Sequence, residues 1–272
     1  MQVEKTKSGG FVQGAATSAM ARLRAKYYCA GDPVDVVTGV NTDETLELEL
    51  PGPIPFQWRR YYSSARNTES LPLGWGHTHE YDCSFTADLD GYCFRGPAGL
   101  TFFPYIPEDG GVAAVSGLLL RRVTPLQFEI HTDARPVMEF VFHNPEAPAP
   151  LHRLIRGRHT MVFQYTDAGA LSQITGSTNQ LLQVRTDAAG RITLLSVLKD
   201  GAPRRLMEFE YDAPGNLIRG TDAYGNSFHF AYDRANRMIR KTDRRGYSFE
   251  YEYDDNGRCV RSRGEDGLHD VK

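Results

Sequence analysis

A period of 21 residues runs from Glu208 to Gly267, and no other feature constrains this chain as tightly. Tyr211-Asp212, Tyr232-Asp233 and Tyr253-Asp254 recur at that spacing, as do Gly225, Gly246 and Gly267. Between them the columns Leu217/Met238/Cys259, Ile218/Ile239/Val260 and Arg219/Arg240/Arg261 stay in register without a gap. Phase-locked self-similarity of this kind specifies a stacked architecture, in which one supersecondary unit is copied along the chain.

The residues inside one copy identify the unit. Phe209 and Tyr211, then Phe228, Phe230 and Tyr232, then Phe249, Tyr251 and Tyr253 alternate with Glu208, Glu210, His229, Ala231, Glu250 and Glu252. A period of two is a strand with one apolar face. Each aromatic strand runs into a turn, Asp212 to Gly215, Asp233 to Asn236 and Asp254 to Gly257. There Asp bonds the backbone ahead of it, and Gly or Asn tolerates positive φ. A second short strand, around Ile218, Ile239 and Val260, ends at Asp222 to Gly225 and Asp243 to Gly246. One unit is two strands and two turns, and an isolated hairpin is marginal in water, so each unit requires neighbours to cover its aromatic face. The expectation is a mainly β protein with continuous antiparallel sheet over Leu206 to Val260, burying Phe230, Tyr232, Phe249 and Tyr251.

From Tyr211 to Asn226 the order Tyr-Asp-x-x-Gly-Asn-Leu-Ile and then Thr-Asp-x-x-Gly-Asn resembles the YD repeat of Rhs proteins. A second stretch is similar to the N-terminal region of the Rhs core. It runs from Gly31-Asp32-Pro33 through Pro53-Ile54-Pro55-Phe56-Gln57-Trp58-Arg59-Arg60-Tyr61-Tyr62-Ser63-Ser64 to Gly74-Trp75-Gly76-His77. The resemblance implies antiparallel β-hairpin repeats that coil into a curved β-sheet spiral, part of a hollow shell around a C-terminal toxic domain. It implies as partners the remainder of that shell and its toxin cargo, with a secretion-spike component or a chaperone. By the same resemblance the chain is the N-terminal part of such a shell, with a repeat left unfinished at Lys272, as a truncated product or a fragment of a longer chain.

Elsewhere the sequence divides into an N-terminal helical segment over 1–30, a β region over 31–150 and the repeat array over 151–272. Val12, Ala16, Ala19, Leu23 and Tyr27 recur at helical steps, predicting a short helix over Phe11 to Ala30 packed on the β body. It is too polar to span a membrane, and Arg22, Arg24 and Lys26 interrupt any secretory apolar run. Leu46, Leu48 and Leu50 alternate with Glu47 and Glu49, predicting a strand with a dry leucine face. Strands and hairpins are expected at Tyr81 to Phe94, Leu100 to Pro104, Gly117 to Val123, Phe128 to His131 and Pro136 to His143. Asn144 to Pro150 is too proline-rich for a paired strand and marks a boundary. Degenerate repeats then begin near Leu154, with an insertion around Lys199 to Arg205. The 26 Gly, 15 Pro, 14 Tyr and 14 Phe suit many short strands.

Several chemistries find no support. A net charge of −3 without a basic block gives no electrostatic reason for nucleic acid. Cys29, Cys83, Cys93 and Cys259 lack zinc-finger spacing. An Asp90-Gly91 turn would set Cys83 opposite Ala98 and Cys93 opposite Asp88, so four unpaired thiols are expected. His77 and His79 share a strand face but no third ligand completes a set, which makes them structural. The turn carboxylates Asp212, Asp222, Asp233, Asp243, Asp254 and Asp255 offer mostly one per turn, too few for calcium, and read as Asx turns. No nucleophile elbow is present. The Asp-Pro that Rhs proteins can carry at a self-cleavage site occurs here only as Asp32-Pro33, near the wrong terminus. Neither a catalytic residue nor a cofactor or metal is expected. The repeat signature Tyr211, Asp212, Gly215, Asp222, Gly225, Tyr232, Asp233, Asp243, Gly246, Tyr253, Asp254 and Gly257 is structural. The expected role is a non-catalytic wall of a toxin-enclosing shell, made in the bacterial cytoplasm and delivered by a secretion system. The alternative is a carbohydrate-binding or adhesion module, which would show the repeat tyrosines to solvent in a row.

Overall fold

The computed structural model describes residues 29–30, 34–35, 37–97, 99–133, 135–267 and 270. Among them the regular structure is β, and the helical pieces are two short 3₁₀ turns, Ser64–Arg66 and Glu265–Gly267. The helix expected over Phe11 to Ala30 lies outside the described residues except at its end. There Cys29–Ala30 is a strand paired with Val34–Asp35, whose backbone satisfies it in place of helical bonds. The chain forms two units, each assembled from distant stretches: Met1–Thr45 with Arg60–Thr78 and Glu208–Lys272, and Leu46–Arg59 with His79–Met207.

In the second unit an antiparallel meander runs Leu118–Thr124, Gln127–His131, Val137–Val141, Ala149–Arg156, His159–Tyr165, Leu171–Thr175, Leu181–Thr186 and Ile192–Lys199, each strand bonded to the next. Its core centres on Phe85, whose ring lies 5.5 Å from Tyr92, 5.1 Å from Phe128, 5.8 Å from Phe140 and 5.9 Å from Phe142. Two expectations need correction here. Proline-rich 144–150 ends inside the strand Ala149–Arg156, where Ala149 pairs with Phe85 and Pro150 with Ser84. Only two residues pair there, so the missing proline N–H falls at a strand end, where it is tolerated. The hairpin of Ser84–Asp88 and Gly91–Gly96 turns at Leu89-Asp90 rather than Asp90-Gly91, setting Cys93 opposite Thr86. That register places Phe85 directly opposite Phe94, a cross-strand aromatic pair that outweighs the preference of Asp-Gly for a turn. Among the described residues Cys83, Cys93 and Cys259 form no disulfide. The insertion expected around Lys199 to Arg205 lengthens a hairpin, Ile192–Lys199 and Ala202–Tyr211, whose turn residues Asp200 and Gly201 both have positive φ, as a tight two-residue β-turn requires.

In the first unit the strands Leu217–Asp222, Ser227–Tyr232, Met238–Thr242, Ser248–Tyr253 and Cys259–Gly264 carry the repeats, paired antiparallel within each hairpin and across each aromatic turn. Phe209, Phe230 and Tyr251 form one buried column and Leu217, Met238 and Cys259 another, while Ile239 and Val260 point to solvent. Tyr232 and Phe249, expected to be buried, are half-buried. A register shift at Ala231/Tyr232 swings the tyrosine off the face, and Phe249 lies opposite Lys241, whose stem carries a charge. The aromatic face is covered by the unit's own N-terminal stretches, since Arg60 and His77 stack on Phe230. Neighbouring repeats are therefore not its only cover.

The strand Thr42–Leu50 departs from its expected dry leucine face at Leu46 and Glu47, while Glu49 is exposed as expected and Leu48 and Leu50 are half-buried. Glu47 is buried and Leu46 is 37% exposed, because Asp43, on the parity of Glu47, is drawn inward to Arg60.

Candidate functional site

The densest polar structure in the first unit lies where its N-terminal stretches meet the repeats. Arg60 sits in the apolar strand Phe56–Ser63 and is 1% exposed. A buried guanidinium needs a partner and hydrogen bonds, and it has both: Nη1 lies 2.9 Å from Asp43 Oδ2 and Nη2 donates to Thr45 Oγ1 at 3.2 Å. Its plane lies over the rings of Phe228 at 5.0 Å and Phe230 at 4.6 Å. Lys241, from the repeats, bonds the other oxygen of Asp43. Burial alone would raise the Asp43 carboxyl, but Lys241 and Arg60 hold it far below the usual carboxylate range.

Beside this cluster, His77 lies against Tyr62 at 4.6 Å and Phe230 at 5.3 Å, with Nε2 2.7 Å from the Tyr232 hydroxyl. That hydroxyl donates to Leu217 O at 2.8 Å. One repeat later, Tyr253 donates to Met238 O at 2.9 Å and receives Asn41 Nδ2 at 3.1 Å. Tyr62 accepts from Met238 N at 2.8 Å. Burial pushes the Tyr232 and Tyr253 phenols up, so both remain neutral donors. His79, in the second unit, stacks on Trp58 at 4.5 Å and accepts from Tyr81 N; burial lowers it to about 4. Both histidines are packed, and among the described residues no three His, Cys, Asp or Glu side chains converge as metal ligands.

The N-terminal stretch also touches two successive aromatic turns and the strand that follows the third. Trp75 Nε1 donates to Pro214 O at 2.8 Å, Asn67 Nδ2 to Ala235 O at 2.7 Å, and Cys259 N to Gly39 O at 2.8 Å. Pro214 and Ala235 are equivalent positions of the 21-residue unit. Gly74 rests against the first turn so closely that a Cβ would lie 2.5 Å from Gly215 O.

Each turn is one design. The first residue donates its N–H to the carbonyl four residues on and accepts at its own carbonyl the N–H three residues on, starting at Thr166, Gly176, Asp187, Asp212, Asp222, Asp233, Asp243 and Asp254. The fourth residue, Gly169, Asn179, Gly190, Gly215, Gly225, Asn236, Gly246 or Gly257, has positive φ. Oδ1 of Asp187, Asp222, Asp233, Asp243 and Asp254 accepts the second and fourth N–H groups that follow. Asp212 accepts the third and fourth instead, because Pro214 has no N–H. Oδ2 takes the guanidinium of Arg191, Arg237 or Arg258, each Nε at 2.7 Å. The backbone N–H of Arg258, then its guanidinium, holds Asp254 below the usual carboxylate range.

Of the sequence-predicted residues, Tyr232 and Tyr253 join the N-terminal cluster, and the turn Asp and Gly residues stay in their own turns. The Asp-to-Arg spacing of four at 187/191, 233/237 and 254/258 is the sequence signal for these clamps. Asp43, Arg60 and Lys241 carried no sequence signal, as 198 residues separate Asp43 from Lys241.

Residues 151–267 match the family described as Teneurin YD-shell, and residues 31–102 match the one described as Domain of unknown function (DUF6531). Residues 151–267 are thus similar to a YD-repeat shell. No curated protein matches it. Among solved structures it is similar to "Crystal Structure of TcdB2-TccC3" at 11% identity and TM-score 0.35, covering 92% of this chain and 16% of that one. It is similar also to "Structure of Photorhabdus luminescens Tc holotoxin pore, Mutation TccC3-D651A" at 12% identity and TM-score 0.34, over 82% and 14%. "Crystal Structure of TcdB2-TccC3 without hypervariable C-terminal region" matches at 13% identity and TM-score 0.35, over 64% and 10%. The chain thus spans a small part of the chains it matches.

Proposed function

We propose that this chain is wall, the N-terminal portion of an Rhs-type β-cocoon that encloses a C-terminal polymorphic toxin and delivers it in competition between bacteria. The observation that carries the reading is the fate of the repeat aromatics. Phe209, Phe230 and Tyr251 are buried, and the hydroxyls of Tyr232 and Tyr253 are spent on backbone carbonyls of the preceding strand. A sugar platform needs rings open along one rim, whereas a wall turns them inward. The YD-shell match over 151–267 supports the same reading. Its partners would be the remaining repeats, the cargo and a spike component or chaperone.

The test is protection. The natural gene product that contains this chain is purified and treated with protease, with its C-terminal region monitored. Survival of that region while the shell is intact, and its digestion once the shell is opened with denaturant, is the expected result. Digestion at the same rate in both states overturns the shell reading. Saturable glycan binding abolished by mutating Tyr211, Tyr232 and Tyr253 would establish the adhesion alternative.

A further inference from the structure

The two equivalent tyrosines Tyr232 and Tyr253 receive different donors, and one of the donors titrates. Each hydroxyl has a single proton, and each gives it to a backbone carbonyl, Leu217 O or Met238 O. The group approaching from the N-terminal stretch must therefore donate. Asn41 does so with an amide that never changes charge, and His77 does so with Nε2–H. This fixes the His77 tautomer and leaves Nδ1 as the bare nitrogen, buried and without a hydrogen-bond partner.

We propose that His77 is an acid-operated latch: protonation of Nδ1 releases the Arg60–Thr78 stretch from the aromatic face of the repeats. The proton comes from solvent and forms one new N–H bond, which points at no acceptor. The charged and titratable groups facing the ring are Arg60 and Tyr62 from Phe56–Ser63, Asp43 from Thr42–Leu50, and Tyr232 and Lys241 from the repeats. Asp43 is the one carboxylate among these groups, and Arg60 and Lys241 already bond it. A third cation there is uncompensated, and Arg60 and His77 share the ring of Phe230, so moving one disturbs the other.

The direction of the effect follows from linkage. Burial first, then the Arg60 charge, depresses proton binding by His77 in the folded state well below its ordinary value near 6.5. The latch is fully closed above about pH 6.5, and the ratio of closed to open falls by up to about tenfold for each unit of pH below it. As a device for opening a shell, the proposal rests on the shell reading. Its test uses this chain alone, so failure to protect a cargo leaves the result unaffected.

Hydrogen exchange, corrected for the intrinsic pH dependence, is followed at pH 7.5 and pH 5 in the full chain and in His77→Gln, His77→Phe and His79→Gln. Gln keeps an N–H donor for Tyr232 and Phe keeps the ring; neither takes a proton. The expected result is roughly tenfold or greater acid-enhanced opening of Arg60–Ser63 and Met238–Thr242 in the parent. His79→Gln should retain it, and both His77 variants should abolish it. Equal acid enhancement in the parent and in whichever His77 variant folds, or none in the parent, overturns the latch.

Discussion

The turns at Thr166 and Gly176 in the second unit and those at Asp212 to Asp254 in the first have the same pair of backbone hydrogen bonds, yet only the latter begin with a carboxylate. Thr166 offers a weaker substitute, its hydroxyl accepting Ala170 N at 3.2 Å, and Gly176 has no side chain to offer. The fourth position never varies in kind: it is Gly or Asn at positive φ in every case. The conformation is therefore set by the left-handed residue, and the Asp is a reinforcement laid over a turn that forms without it. This division explains why the array is legible as a motif near its end and fades toward Leu154 while its geometry persists.

Substitutions can break the comparison at its strongest point first. Gly246→Val forces a β-branched residue to φ +88 and should cost about 2 kcal/mol, seen as a lower denaturation midpoint. Gly225→Val, at φ +89 with equally open surroundings, should cost the same, so an unequal pair would show that position in the array, rather than local φ or space, governs. Asp233→Ala removes two backbone acceptor bonds and the Arg237 clamp, and should cost about 1 kcal/mol by chemical denaturation. In the opposite direction, Gly176→Asp should stabilise by about 0.5 kcal/mol. A Cβ there meets nothing nearer than 3.5 Å, and the new carboxylate would reach Thr178 and Gln180 N–H groups. That gain should vanish on acidification through about pH 4, since a carboxylate bonded only when folded has a depressed proton affinity and stabilises only while ionised. Asn236→Gly should change stability by only a few tenths of a kcal/mol, because relief of αL strain is offset by added freedom in the unfolded chain. A loss above about 1 kcal/mol would instead credit the Asn216 contact to Asn236 Oδ1 at 3.2 Å.

Much of the fold was legible because its determinants are local. Alternation placed the strands at Gly99–Pro104, Gln127–His131 and Val137–Val141, and the Asp and Gly punctuation placed the turns. What escaped was settled at long range. The alternation of Thr42–Leu50 is ambiguous between its two faces until Arg60 claims Asp43, and the Cys83 hairpin slips by one pair to bring Phe85 opposite Phe94. The buried cluster was invisible for the same reason, since Lys241 and His77 look like ordinary residues of a strand until chain reversal brings them to Asp43 and Tyr232. The tyrosine column is legible as a repeat mark, whereas its bonds to the preceding strand are not.

The Asn41 bond to Tyr253 closes a loop of 212 residues, and a contact that distant has a consequence in time. Local hairpins form in microseconds, whereas a ribosome adds roughly 5 to 20 residues per second. Strand Thr42–Leu50 emerges about 10 to 40 seconds before its last partner exists. During that interval Asp43 and the apolar strand bearing Arg60 and Tyr62 have no repeats to meet. The first unit is thus a late-closing structure, completed from its N-terminal end only after its third repeat is made, and the waiting segment is the part of the nascent chain most in need of a chaperone's cover.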